Sequence, residues 1–220
     1  MKSLQSFFDQ ARRNLSPTHT GAAVTRAREW LGKVRVVSTS LPMLPPRIVP
    51  GVFEQVSQAL YNNFWLEITY TNIEGKRTQT KVMPLGLAQQ GVRMFMPCVF
   101  DGYDDIRNLA LHRIQAAQCS NLPFQRPAGF NLQTYDDHGR FAFGQGVKIA
   151  VHLWISDHIA ALLAESPLAT DQVITPATGT QGGKELRATL TDSNLLVWWI
   201  RSQGNAVRAL APESLVSVLS

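Results

Sequence analysis

The sequence predicts an α+β protein in which a helical lead-in is followed by a small antiparallel β-barrel and then by a ferredoxin-like αβ domain. The first observation is a series of short segments between Phe64 and Ile114 that alternate in hydrophobicity and are separated by turn residues, a pattern typical of small barrels and sandwiches. The second is the order strand, helix, strand, strand, helix, strand after residue 146, which is that of a ferredoxin-like split unit. The predicted regions are a lead-in with a proline-rich linker (1–50), the barrel (51–125), a linker (126–145) and the αβ domain (146–220).

Length and composition are those of a globular protein with one large or two small domains. The chain has 220 residues, of which 45% are hydrophobic and 17% are charged, and these are ordinary values. No apolar segment approaches the ~20 residues of a membrane helix, and the N-terminus lacks the apolar core of a signal peptide. We therefore expect a cytoplasmic protein without membrane contact. The two cysteines, Cys98 and Cys119, do not form a disulfide framework or a metal site by count.

Positive charge is concentrated near the N-terminus. Residues 1–50 contain eight basic and two acidic residues, whereas the remainder contains 13 basic and 14 acidic residues. Such an excess is typical of a segment near a nucleic-acid backbone. Because the arginines are spread out, a solvated helical segment explains the charge equally well.

The lead-in contains a predicted helix, a second helix or extended segment and a connector, and a further helix opens the barrel region. Apolar residues at helical spacing predict an amphipathic helix over residues 1–15, and Thr25 is a suitable N-cap for a second helix or an extended segment. Four prolines between residues 41 and 50 indicate a stiff, extended connector, and residues 52–62 form another amphipathic helical pattern. The three helices and hairpin of a complete winged helix-turn-helix are not found in residues 1–50, so DNA binding by this polypeptide alone is doubtful.

The barrel is predicted from alternation and turn chemistry. The four predicted strands are Phe64–Tyr70, Thr78–Leu87, Val92–Phe100 and Ile106–Ile114. Turns are predicted at residues 72–75, 89–91 and 101–102, and Pro84 marks a bend, a bulge or an edge position in the second strand. We expect the barrel to close, because an open sheet of this size would leave unpaired edges.

The αβ domain follows a polar, glycine-rich stretch that predicts a partly ordered linker up to residue 146. The predicted elements are a strand at 147–153, a helix at 157–163, strands at 172–175 and 186–190, a helix at 194–202, a strand at 206–210 and a last short helix from Pro212. Trp198 and Trp199 are predicted to contribute to the core of this domain and to a dimer contact.

Several motifs in this order resemble the WYL domain of bacterial transcription regulators. The matching residues are Tyr70 at the end of a strand, Lys81 shortly before Pro84, Arg93 before Met94-Phe95-Met96, and the strand from Arg107 to Ile114. The family's Trp-Tyr-Leu is Met-Phe-Met here, so the tyrosine hydroxyl is absent at Phe95. Residues 196–204 followed by 207–213 are also similar to the C-terminal extension common behind WYL barrels.

The resemblance implies an Sm-like or SH3-like barrel that senses nucleic-acid fragments or nucleotide-like ligands. It also implies a homodimer, and regulators of this type often lie beside phage-defence genes. The function hypothesis is therefore the ligand-sensing and dimerisation part of a WYL-type regulator, in which a negatively charged nucleotide or single-stranded oligonucleotide controls DNA binding.

The predicted ligand site is a basic groove on the barrel. Arg107 and Arg113 are predicted to share one face of the last strand, ~20 Å apart at ~3.3 Å per residue. Together with the neighbouring strands they form the predicted ligand-binding set Tyr70, Lys81, Arg93, Phe95, Arg107 and Arg113, with His112 as a secondary candidate. Guanidinium groups suit phosphates and aromatic faces suit bases. The alternative is that these arginines form ordinary surface ion pairs with Glu67, Asp104 or Asp105.

Enzyme motifs are not found, so we expect no catalysis, no cofactor and no metal. The sequence has no phosphate-binding glycine loop and no nucleophile elbow. A metal cluster would have to use residues whose spacings match no metal-ligand pattern, namely Asp136, Asp137, His138, His152, Asp157 and His158. The alternative of a hydrolase would use the acidic loop that contains Asp136 and His138. Another alternative is a protein-interaction or dimerisation module without a nucleic-acid ligand.

Overall fold

The computed structural model describes Lys33, Leu41, residues 43–178 and residues 182–219. The residues from Pro46 onward form a single compact unit that contains two antiparallel sheets. The helix predicted at residues 1–15 and the helix or extended segment predicted after Thr25 lie outside the described residues, apart from Lys33, which is helical.

The first sheet is preceded by a helix, as predicted. Helix α1 spans Val52–Asn62, and the strands are β1 (Phe64–Thr71), β2 (Arg77–Pro84), β3 (Ala88–Gln90), β4 (Arg93–Phe100), β5 (Ile106–Ala110) and β6 (Ile114–Pro123). The order along the sheet is β3-β4-β2-β1-β6, with β5 on the other edge of β4. The second strand was predicted to reach Leu87 with Pro84 as a bend, a bulge or an edge position; the bend is confirmed, but the end at Leu87 and the turn at residues 89–91 were wrong. The chain bends after Pro84, Ala88–Gln90 forms the separate short strand β3, and the turn lies at residues 91–92.

The sheet is curled, but hydrogen-bonded closure is not found among the described strands. The end strands β5 and β6 do not pair with each other, so the predicted closed barrel is a curled half-barrel. A short 3₁₀ turn at Leu111–Arg113 separates them, and α1 packs against β1 and β6. The side chain of Gln55 on α1 accepts a hydrogen bond of 2.7 Å from the backbone N–H of Cys119 on β6.

The concave side of the curled sheet carries the first hydrophobic core. Met94, Met96 and Cys98 alternate on β4 toward this core, as Leu66 and Ile68 do on β1. Helix α1 contributes Val52, Val56 and Ala59. The alternation predicted for β1 therefore gives the correct buried face.

The segment between the two sheets is more ordered than predicted. Strand β6 continues to Pro123, helix α2 spans Leu132–Asp137, and a 3₁₀ turn spans Arg140–Ala142. Helix α2 begins after Asn131, whose side chain accepts a hydrogen bond from the Thr134 backbone N–H at 3.0 Å. The prediction of a partly ordered linker missed this capped helix.

The second sheet confirms the ferredoxin-like prediction. Its elements are β7 (Lys148–Ile155), α3 (Asp157–Glu165), β8 (Val173–Pro176), β9 (Lys184–Thr191), α4 (Asn194–Ser202), β10 (Val207–Ala211) and α5 (Glu213–Leu219). The strand order is β10-β7-β9-β8, all antiparallel. Leu153, Ile155 and Leu186 are fully buried in the second core. Trp199 packs against this core, as predicted, while Trp198 is half exposed.

None of the helices that the structure describes is long and apolar enough to cross a membrane.

Candidate functional site

The residues predicted to form one groove lie in different places. Arg107 lies on β5 and Arg113 in the 3₁₀ turn that follows it, so the prediction that both share one face of a single strand was wrong. The nine residues 106–114 alternate as a strand would, but Leu109, Ala110 and Leu111 are all buried. The chain turns there and then pairs Ile114 with Tyr70 on β1.

Arg107 forms a local ion pair, as the alternative interpretation expected. Its Nε donates to a carboxylate oxygen of Asp105 at 2.6 Å. The guanidinium carbon also lies 5.1 Å from the ring centre of Phe100 and 5.0 Å from that of Tyr103, which are distances for cation–π contact. The hydrogen bond with Arg107 lowers the pKa of the Asp105 carboxyl. Arg107 is therefore already neutralised.

Lys81 is also paired. Its Nζ lies 3.3 Å from a carboxylate oxygen of Glu67, which is directly opposite on β1. Both side chains line a shallow polar groove of about 510 Å³ over β6, β1 and β2, whose floor includes Thr69 and Ala116. The Lys81 charge is balanced within this groove.

Tyr70 lies half-buried on β1 and packs against the first core. Thr78 and Ile114 are its partners on the two neighbouring strands. Its ring is therefore mainly a packing group at the end of the core nearest the 3₁₀ turn.

Arg93, His112 and Arg113 come together, and we call these three residues the basic cluster. Antiparallel pairing places Phe95 opposite Ala110, so Arg93, two residues before Phe95, lies near the residues that follow Ala110. Both guanidinium groups act electrostatically on His112. Neither arginine has a carboxylate within ion-pair distance in the described part of the chain.

His112 is the unusual member of the basic cluster. Its Nδ1 is buried and has no hydrogen-bond partner in the part of the chain that the structure describes. Burial lowers the pKa of His112, and the positive charges of Arg113 and Arg93 lower it further. The imidazole is therefore neutral near pH 7, and the positive charge of the site belongs to the arginines.

Phe95 lies beside the basic cluster on the convex face of the sheet. It shares a face of β4 with Arg93, because residues two apart on a strand point the same way. Its partners on the neighbouring strands are alanines, Ala88 on β3 and Ala110 on β5. The Phe95 ring between these small residues is half-buried.

A polar contact that sequence reasoning missed lies on the same strand as Arg107. Asn108 Nδ2 donates to the carbonyl oxygen of Arg140 at 3.0 Å, and the Tyr135 hydroxyl donates to Asn108 Oδ1 at 3.2 Å. Asn108 is separated by 27 and 32 positions from these partners, so no local pattern indicates the contact. A cavity of about 660 Å³ lies alongside, lined in part by Asp104, Tyr135 and Arg140.

The acidic-loop residues are not brought together as metal ligands. Among the described residues, no group of three or more histidine, cysteine, aspartate or glutamate side chains is placed to hold a metal. His152 instead pairs with Glu185, at 2.9 Å between Nε2 and the carboxylate oxygen. Asp136, Asp137 and His138 lie at the C-terminal end of α2.

Comparisons with known proteins agree with the motifs. The WYL domain model matches residues 51–119, and the WCX domain model matches residues 148–219. A search of curated proteins found no match.

Two solved structures are similar to this chain in fold. The proteasome accessory factor B/C (PafBC) of Arthrobacter aurescens is 19% identical with a TM-score of 0.38, and the match covers 87% of this chain and 30% of that one. A CRISPR Cas-related protein is 9% identical with a TM-score of 0.48, and the match covers 76% of this chain and 48% of that one. This chain thus spans less than half the length of either structure.

The two domain matches confirm the resemblance predicted from the sequence. The first covers α1 and the half-barrel almost to the end of β6, and the second covers the ferredoxin-like sheet with its helices. The chain is a WYL-domain protein in which the WYL domain is followed by a WCX domain.

Proposed function

We propose that this chain is the effector-sensing part of a WYL-type transcription regulator, and that the basic cluster binds a negatively charged nucleotide or single-stranded oligonucleotide. The observation that carries the proposal is the pair Arg93 and Arg113, two cations close to one histidine and without a carboxylate partner among the described residues. The other two cations of the predicted set, Lys81 and Arg107, have such partners.

The chemistry of the basic cluster suits a phosphate. Two guanidinium groups that repel each other gain most from an anion placed between them. The neutral imidazole of His112 retains one ring N–H as a further donor. Phe95, with alanines on both sides, provides a ring against which a base can stack, and this contact is worth about 1–3 kcal/mol per base.

The proposed output is a change in DNA binding by a dimer that acts in the cytoplasm. The half-exposed Trp198 and Leu195 lie three residues apart on α4, and we propose that this helix surface contributes to the dimer contact. In this role the chain is a binding module and not an enzyme.

The proposal is tested by fluorescence anisotropy of the full chain with a labelled, 5′-phosphorylated oligothymidylate across a salt series. Replacing both Arg93 and Arg113 with alanine is expected to weaken binding by at least about 100-fold, since each charge-assisted hydrogen bond is worth about 1.5–3 kcal/mol. The slope of log affinity against log salt is also expected to fall. Arg77→Ala, on the exposed start of β2, is the matched control and should bind as the parent does.

Several outcomes contradict the proposal. Equal losses in the Arg93/Arg113 variant and the Arg77 control would show nonspecific attraction to a basic protein. Binding of duplex DNA only, lost when residues 1–50 are removed, would place the activity in the basic lead-in. Absence of any salt-dependent binding would favour the alternative of a protein-interaction or dimerisation module.

A further inference from the structure

The segment between the WYL and WCX matches is attached to the half-barrel by several contacts. We call residues 124–146 the strap. Phe124 is buried with Leu85 and Val99, and its ring centre lies 6.2 Å from that of Trp65. Leu132 packs so closely on Gly86 that a Cβ atom there would lie 3.0 Å from its side chain. The strap is therefore packed onto the convex side of the first sheet.

Asn108 makes the polar part of this attachment. Its side chain amide donates to the Arg140 carbonyl oxygen and accepts from the Tyr135 hydroxyl, at 3.0 and 3.2 Å, and both contacts are partly buried. Burial raises the pKa of Tyr135, so the hydroxyl remains a donor. Tyr135 also lies against Phe130 and Phe141, with ring centres 5.6 and 5.4 Å away. The Asn108 side chain on β5 thus forms hydrogen bonds with two residues of the strap.

The other end of the strap is folded against the second sheet. The Thr191 hydroxyl at the end of β9 donates to the Asp137 carbonyl oxygen at 3.3 Å. A Cβ atom on Gly139 would lie 3.2 Å from the Thr191 methyl group, and one on the buried Gly144 would lie 2.7 Å from the His138 carbonyl oxygen. Only glycine fits at Gly144 without backbone movement, which shows how tightly this turn is closed.

The attachment point and the basic cluster belong to the same short piece of chain. Asn108 precedes His112 by four positions, and the intervening Leu109, Ala110 and Leu111 are 5%, 2% and 0% exposed. These close-packed side chains join the 3₁₀ turn to Asn108 in one segment that resists independent movement of its parts.

We propose that the strap couples the basic cluster to the WCX domain. Asn108 is the positioning residue, because its hydrogen bonds connect β5 to the strap. An effector that draws Arg93 and Arg113 together moves the 3₁₀ turn, and Asn108 carries this movement to Arg140 and Tyr135. The tight turn at Gly139–Gly144 passes it to the end of β9. The effector part of this inference rests on the proposed function, while the mechanical coupling of the two domains does not.

The coupling without effector is tested by hydrogen exchange of the full chain in increasing urea. Amides of β1 report on the half-barrel and amides of β9 on the second domain. In the parent we expect both sets to open at the same urea concentration, and in Asn108→Ala we expect two separate midpoints. Tyr135→Phe removes only one of the two hydrogen bonds and should give a smaller separation. Asn121→Ala is the matched control, because Asn121 is an exposed asparagine on β6 for which no side-chain hydrogen bond is found among the described residues.

The coupling with effector is tested by adding the 5′-phosphorylated oligothymidylate to the same variants. Asn108→Ala should keep the affinity of the parent within about twofold, and the change in exchange at Thr189–Thr191 seen in the parent and in Asn121→Ala should be lost. A β9 response that persists in Asn108→Ala overturns the inference, as does a single unfolding midpoint in that variant. If the parent does not bind the oligonucleotide, the proposed function fails, and the urea midpoints still decide the coupling.

Discussion

His112 in the WYL domain and His152 in the WCX domain have opposite electrostatic surroundings. In the WCX domain, His152 bonds to Glu185 at 2.9 Å and Arg187 lies 3.4 Å from the same carboxylate oxygen. In the WYL domain, His112 has a buried nitrogen without a partner in the described chain, and burial and the nearby Arg113 and Arg93 disfavour its charged form. Two arginines without a carboxylate partner among the described residues, next to a histidine whose pKa is lowered, are typical of a binding site.

The hydrophobic cores of the two domains are equally well buried. Substitutions in these cores should therefore have the largest effect on the free energy of unfolding. Leu66 and Leu186 are both 0% exposed. We expect Leu66→Ala and Leu186→Ala each to lower the free energy of unfolding by about 2–5 kcal/mol, measured by urea denaturation. A much smaller loss in one domain would show that its core is loosely packed. The two histidines could then no longer be compared as sites in two equally well-packed domains.

A smaller effect is expected when the neutralising carboxylate of the WCX domain is removed. The hydrogen bond from His152 lowers the pKa of Glu185, with further bonds from Thr178. A carboxyl group whose pKa is lowered in the folded state stabilises the fold at pH values above its ordinary pKa. This stabilisation is lost as the pH falls through the folded-state pKa. We therefore expect Glu185→Gln to lower the Tm at pH 7 and to reduce the decline of Tm in acid. An unchanged pH profile would mean that this network does not contribute to stability.

The smallest effect, and of opposite sign, is expected in the basic cluster. Arg93→Ala removes one of two nearby positive charges and should raise the free energy of unfolding by less than about 1 kcal/mol, the Coulomb energy of two unit charges about 4 Å apart in water. Lys81→Ala breaks the exposed pair with Glu67 and should lower it by at most about 1 kcal/mol. Denaturation of both variants at low salt compares them directly. Destabilisation by Arg93→Ala would contradict the interpretation that Arg93 and Arg113 repel each other when no anion is bound.

The sequence predicted the elements whose patterns are long and unambiguous. Strand β1 and the βαββαβ order of the WCX domain follow from alternation, helical spacing and caps, and the structure confirms them. Strand β6 was missed because the exposed Gln115, Ala116 and Gln118 leave neither an apolar run nor a clear alternation in its first half. The capped helix α2 has only six residues, too few for a periodicity to be recognised.

The 3₁₀ turn at Leu111–Arg113 determines which residues form the candidate site. The nine residues from Ile106 to Ile114 fit one strand as well as they fit a strand, a turn and the start of the next strand. Because the turn is present, Arg113 joins Arg93 and His112, and Arg107 remains with Asp105. Only the tertiary pairing of Ile114 with Tyr70 decides between these arrangements, so sequence periodicity could not.

The most direct test of this account is an NMR titration of the His112 imidazole in the full chain, with and without the 5′-phosphorylated oligothymidylate. Without the oligonucleotide, the pKa of His112 should lie below its ordinary value, because burial and the two arginines disfavour the charged form. An anion bound between the arginines should raise this pKa, and by linkage the affinity should increase as the pH falls through it. Arg93→Ala should raise the pKa without ligand. A His112 pKa that does not change on saturation with the oligonucleotide would contradict anion binding at the basic cluster.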